Sequence, residues 1–164
     1  MDLQKYKLEA KKSFAEHQKT LAKLKKSTPK NLDDQFHNLH NEVFEKIDCL
    51  SCANCCRTTS PIFYEADIDR VSKALKVKSG KFIDTYLHKD VDNDYVLNST
   101  PCPFLGFDNK CMVYDSRPRA CREYPHTNRK RMHQILKLTL KNTQVCPAVH
   151  EIVRSLLSTK VCQY

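Results

Sequence analysis

Cys49-Leu50-Ser51-Cys52-Ala53-Asn54-Cys55-Cys56-Arg57 places four thiols within eight residues. A lone cysteine is ordinarily a small buried hydrophobe. Thiolate is also the soft ligand taken by zinc and iron–sulfur centres, and ligands two residues apart can converge on one metal. Cys102, Cys111, Cys121 and Cys146 extend the series to eight of the chain's nine cysteines, while Cys162 stands apart and reads as a buried hydrophobe. The eight read as metal ligands. The fold class expected is therefore α+β: a mainly helical single domain with a small antiparallel hairpin or sheet, organised around a cysteine-ligated metal site, plus an N-terminal amphipathic helix.

The spacing narrows the chemistry. Cys49, Cys52 and Cys55 have the spacing of the first three ligands of a bacterial ferredoxin loop, but Cys56 arrives too early to be its fourth. Side chains of adjacent residues diverge, so Cys55 and Cys56 fit two metals, or two irons of one cluster, better than one tetrahedral ion. Eight thiolates suit two four-cysteine zinc sites, or one iron–sulfur cluster with further ligands to a second centre. A thioredoxin-like reading of the C-x2-C pair is disfavoured, because the segment before it reads as helix rather than strand. His126 and His150 have spacings that let them substitute for a cysteine; His17, His37, His40, His88 and His133 do not. Arg57, Arg117, Arg119 and Arg122 crowd the cysteine motifs. There they can neutralise and hydrogen-bond thiolates from behind, with Arg57, Arg117 and Arg122 the candidates for that supporting shell, or bind an anionic substrate.

Composition bounds the remainder. The chain has 164 residues and no apolar run near the length of a membrane span. Its lysine-rich start lacks the apolar centre of a secretory signal, so a cytoplasmic location is expected, where thiols stay reduced and metal chemistry outranks disulfides. With only Gly80 and Gly106, it has neither a Walker A loop nor a dinucleotide-binding glycine loop. The net charge of +9 is uneven: +6 over residues 1–30, −5 over 31–116 and +7 over 117–141. Either a solvated helix face or a nucleic-acid or protein partner for the basic N-terminal helix accounts for the first block.

Hydrophobic periodicity places the elements. Leu3, Tyr6, Ala10, Phe14, His17, Leu21 and Leu24 predict a helix ending before Ser27-Thr28-Pro29. A second helix is expected from Leu32 to Ile47. A third carries Ile68, Val71 and Leu75, with Glu65 and Asp67 at its positive end. A fourth starts at an N-cap Ser79, and Asp90 to Asp94 reads as a loop. Cys102-Pro103-Phe104-Leu105 and Cys111-Met112-Val113-Tyr114 predict a hairpin about Gly106 to Lys110. Leu136, Leu138 and Leu140 alternate with polar residues and predict another strand, and Pro147 opens a last helix. The organisation expected is a helix over 1–30 and a cysteine-cluster metal-binding domain over 31–164, with its core motif at 49–150.

These residues carry a resemblance. The series from Cys49 to Arg57, then Cys102-Pro103-Phe104-Leu105, Cys111-Met112-Val113-Tyr114, Arg117-Pro118, Cys121-Arg122-Glu123-Tyr124-Pro125 and Cys146-Pro147, resembles the YkgJ family of cysteine-cluster proteins, as does Ile62 through Leu75. Asn54 and Ala148 stand where that family often has glycine. The resemblance implies zinc or iron chelation or an iron–sulfur cluster, without a defined biochemical role. A related cysteine arrangement in flagellin lysine-N-methylases implies, as the alternative, a metalloenzyme of redox or methyl-transfer type. A zinc-stabilised nucleic-acid or protein adaptor is the third reading.

Overall fold

The structure is a computed structural model and describes residues 2–158; Cys162 lies outside the described residues. In chain order the helices are α1 (Leu3–Ser27), α2 (Leu32–Phe44), α3 (Cys49–Cys52), α4 (Asn54–Thr58), α5 (Glu65–Ala74) and α6 (Ser79–Tyr86). Strands β1 (Leu87–Lys89) and β2 (Tyr95–Leu97) follow, then helices α7 (Arg119–Glu123), α8 (Leu136–Asn142) and α9 (Pro147–Ser158). The fold is mainly helical α+β with a small antiparallel sheet, in which His88 pairs with Val96. Residues divide into two compact units, one from Met1–Cys49 with Pro125–Tyr164 and one from Leu50–Tyr124. Among the described residues no helix is long and apolar enough to cross a membrane.

The first unit is a helical cluster in which α1 packs against α8 and α9, and α2 against α9. Asp2 caps α1, its carboxylate accepting from the Gln4 and Lys5 amides at 2.9 and 3.0 Å. The buried face of α1 is Tyr6, Ala10, His17, Leu21 and Leu24, as the periodicity predicts, whereas Phe14 remains exposed. Tyr6 donates its hydroxyl to the Thr143 carbonyl at 2.8 Å, and the Gln144 amide donates to the Ala10 carbonyl at 2.8 Å. Asp33 at the start of α2 accepts from the Arg131 and Met132 amides at 2.6 and 2.8 Å, holding the basic 129–131 loop.

The expected strand at Leu136, Leu138 and Leu140 is corrected: this segment is helix α8. Its buried residues are Leu136, Thr139 and Asn142, spaced by three, while Leu138 is exposed. Thr139 donates to the Ile135 carbonyl and Asn142 to the Pro125 carbonyl, so polar side chains form much of the inward face. Helix α2 stops at Phe44 rather than Ile47. Ser79 is inside α6 rather than at its cap, and its hydroxyl donates to Asp69 at 2.8 Å.

The second unit is built on Phe63, Ile68, Val71, Phe82, Leu87, Leu97, Phe104 and Val113. Phe82 stacks on Phe104 with ring centres 6.0 Å apart, and Tyr86 also packs on Phe104. The hairpin expected from Cys102 to Tyr114 is reduced to a single bridge between Leu105 and Cys111. The extended pair forms instead at β1 and β2, around the Asp90 to Asp94 loop, where Asp90 accepts from the Asp92 and Asp94 amides.

Gly106 has a specific role in the 102–113 loop. A methyl there would lie 2.8 Å from an Asp108 carboxylate oxygen that also accepts the Lys110 amide, and 3.2 Å from the Lys110 carbonyl. Gly106→Ala is expected to cost about 1 kcal/mol by forcing that turn open. Thermal unfolding of the variant checks this; an unchanged midpoint would contradict it.

Candidate metal centre

Three separate pieces of backbone bring thiols together in the second unit. The first is α4, a single turn entered through Ala53 in the left-handed region (φ 45°) and carrying Cys55 and Cys56. The Thr58 and Thr59 hydroxyls donate to the Asn54 and Cys55 carbonyls at 2.8 Å, so the turn is internally closed.

The second piece is the 102–113 loop. Its Cys102 amide donates to the Cys56 carbonyl at 2.8 Å, which fixes it beside α4. Leu105 N–H bonds back to the Cys102 carbonyl and Met112 N–H to the Phe104 carbonyl, bringing Cys111 back beside Leu105. The buried Phe104 and Val113 anchor both limbs in the core. At the tip, Asn109 donates to the Ser51 carbonyl at 3.3 Å and accepts from the Arg57 guanidinium.

The third piece is α7, which carries Cys121. Buried Asp67 on α5 accepts from the Arg119 amide at 3.0 Å and from Arg70 at 2.5 Å. Arg70 in turn donates to the Ser116 and Arg117 carbonyls at 3.2 and 3.0 Å. Asp67→Asn keeps an acceptor but loses its charge, and is expected to cost about 2 kcal/mol. Urea unfolding measures it; a loss below half that figure would mean the clamp carries little of the unit's stability.

The electrostatics identify which thiols are neighbours. A hydrogen bond from the Cys55 thiol, with smaller help from Arg57 and Arg117 and against the effect of burial, brings the Cys56 thiol down to about 7. Burial pushes Cys102 up to about 11, and repulsion from Cys56 and Cys111 adds to it. Cys111 is raised by burial and by Cys56. Cys121 is pushed up to about 12 by burial, then by Cys56, Cys102 and Cys111 together. Cys56, Cys102, Cys111 and Cys121 thus form one mutually repelling set, with Cys55 bonded to it. Cys52 is half-buried at the end of α3 in the same unit. Cys49 and Cys146 belong to the first unit, Cys146 buried just before α9, and so do His126 and His150.

Arg117 stands over the Tyr114 ring, 3.6 Å from its centre, and acts electrostatically on Cys56, Cys111 and Cys121. Its buried Nε has no hydrogen-bond partner among the described atoms. An unsatisfied guanidinium N–H next to thiols is a donor that a metal-bound thiolate sulfur would accept. Arg57 is exposed at the end of α4, and Arg122 is exposed on α7. Among the described residues no three Cys, His, Asp or Glu side chains are already posed to hold one ion. The donor set itself fits zinc or iron: four soft sulfurs on short backbone-linked segments, with a cationic group behind them.

A family model named for the C-x2-C-x2-C-C motif and described as a candidate zinc- or iron-chelating domain matches residues 48–147. The chain belongs to this CxxCxxCC family. YkgJ-type cysteine-cluster proteins belong to it as well. The match covers all eight cysteines of the motif series and ends at Pro147, so α1, α2 and most of α9 lie outside the CxxCxxCC domain. No curated protein and no solved structure matches the chain.

The sequence singled out the cysteines but gave no pairing. The Asn109 and Asp67 contacts that draw the three segments together carry no spacing signal and were missed. Arg-Pro at 117–118, directly before the short helix with Cys121, is the only local cue that this segment is held for a purpose.

Proposed function

We propose that residues 50–124 form a metal-chelating module in which Cys56, Cys102, Cys111 and Cys121 hold one zinc or iron centre, with Arg117 donating to a bound sulfur. The observation that carries this reading is the convergence of four thiols from α4, the 102–113 loop and α7. The metal supplies a cross-link among three segments otherwise held by the Cys102–Cys56 backbone hydrogen bond, the Arg57–Asn109 contact and the Asp67–Arg70 clamp. We place this module in a reducing compartment such as the cytoplasm, where thiols stay available as metal ligands.

One feature favours an iron–sulfur cluster as the second reading. The thiol of Cys55 lies within hydrogen-bonding reach of Cys56, so five sulfurs are available where a tetrahedral zinc takes four.

Anaerobic purification followed by metal and acid-labile sulfide analysis decides between them. The proposal expects a stoichiometric metal whose content falls on serine substitution of each of the four thiols, and stays unchanged in Cys162→Ser. Acid-labile sulfide with sulfur-to-iron charge-transfer absorption would establish the cluster; colourless zinc-loaded protein would establish the mononuclear centre. Full metal loading in Cys56→Ser, Cys102→Ser, Cys111→Ser and Cys121→Ser would refute the site.

A further inference from the structure

The chain's positive charge is almost wholly a property of the unit that lies largely outside the chelating domain. Met1–Cys49 with Pro125–Tyr164 carries seventeen Lys and Arg against nine Asp and Glu, so it holds +8 of the chain's +9. Its lysines are arranged by the helix packing. Glu9 on α1 acts electrostatically on His150, and His17 packs on His150, which puts α9 along the Glu9 flank of α1. Helix α8 lies along α1 at another part of its circumference, with residues next to its C-terminal end bonded to Tyr6 and to the Ala10 carbonyl. At about 100° per residue, Lys7, Lys11 and Lys25 fall on the flank of α1 opposite Glu9 and Glu16. All three are exposed, as are Lys137 and Lys141 on the adjoining helix α8. Neither that flank of α1 nor helix α8, which packs against α1, carries a carboxylate.

The outer ridge of α1, bordered on one side by Glu9 and Glu16, carries a second row of lysines. Lys5, Lys12, Lys19 and Lys26 are exposed and recur every seven residues. They form a row about 30 Å long, close to one turn of a nucleic-acid duplex.

We propose that the lysine face of α1 and α8 binds the phosphate backbone of duplex nucleic acid, without sequence preference. The charge is spread over a length rather than gathered around an aromatic anchor, which is how a phosphate track is met and unlike a protein hot spot. Lipid insertion by α1 requires an apolar helix face, and Tyr6, Ala10, Leu21 and Leu24 are already buried in the unit's own core. Lysines supply point charges without the fork geometry that reads base edges, so contacts stay on the backbone. The proposal does not depend on which metal the second unit binds.

The test is fluorescence anisotropy of labelled 20-base-pair DNA and RNA duplexes with the full chain, titrated across salt. A variant with Lys7, Lys11, Lys25, Lys137 and Lys141 changed to Gln is compared with a control of equal charge loss, Lys73, Lys76, Lys78, Lys81 and Lys89 changed to Gln in the second unit. Circular dichroism checks that both remain folded. The proposal expects at least about 30-fold weaker binding for the first variant, with a salt slope shallower by about four, and little change for the control. Binding of either duplex type on these terms supports it. Three results would overturn it: no duplex binding at low salt, equal loss in the control, or lysine-dependent binding to phosphatidylserine vesicles without duplex binding.

Discussion

Raising the pH from 7 to 8 is expected to tighten metal binding about 1000-fold, because binding must expel about three protons. The sign follows from the thiols. Cys102, Cys111 and Cys121 are held above their ordinary value of 9, the first at about 11 and the last at about 12, so all three carry protons across this window. Cys56, pulled down to about 7, has largely given up its proton by pH 8 and contributes little to the slope. Each proton that must leave makes affinity rise tenfold per pH unit. Competition against a colorimetric chelator at the two pH values reads the ratio; a change of tenfold or less would mean the bound set contains at most one of these buried thiols. Removing the metal has a second expected effect. Leu50–Tyr124 is 75 residues long, a size at which a core of eight buried side chains needs a staple. Chelation should therefore strip amide-exchange protection from Phe63 to Val113, and persistence of that protection would assign the metal a role other than stabilisation.

The parts of the fold legible in the sequence are those whose inward face is apolar. Helices α1, α5 and α9 bury Leu, Ile and Val at spacings of three and four, so the period alone finds them. Helix α8 defeated the same reading for a definite reason. Its inward residues include Thr139 and Asn142, satisfied by hydrogen bonds to Ile135 and Pro125, while its exposed Leu138 supplied a false period of two. Hydropathy registers apolar surface, and cannot register a polar residue whose partner lies elsewhere in the chain. The strands β1 and β2 are three residues each, too short for alternation to accumulate. At the candidate centre the thiols were legible because cysteine is chemically distinctive. Their grouping was not, since it rests on Asn109, Asp67 and the Cys102 amide reaching across 46 to 58 residues of chain.

Acidification from pH 6.5 to 4 is expected to cost the first unit about 3 kcal/mol through His17 alone. His17 is 0% exposed, and neither ring nitrogen has a hydrogen-bond partner among the described atoms. Its ring centre lies 4.9 Å from that of His150, whose Nδ1 is also buried and unsatisfied. Burial, then the neighbouring imidazole, brings His17 down from 6.5 to about 4. Burial and Arg154 lower His150, against opposing contributions from Glu151 and Glu9. A folded pKa below the unfolded one means the unfolded chain binds more protons between these values. The stability is thus fully present above pH 6.5 and lost as pH falls towards 4. His150 adds to the loss in the same direction. Acid also ejects metal from thiolates, so the informative quantity is a difference between two proteins at each pH. His17→Leu removes the titrating group and two unsatisfied nitrogens at similar volume. It should be more stable than the wild type at pH 7, and its advantage should grow by about 3 kcal/mol on reaching pH 4. Urea unfolding of both at a series of pH values, with exchange protection in α1 and α9 as the local readout, gives that difference; parallel pH profiles would mean that His17 is solvated or paired in solution.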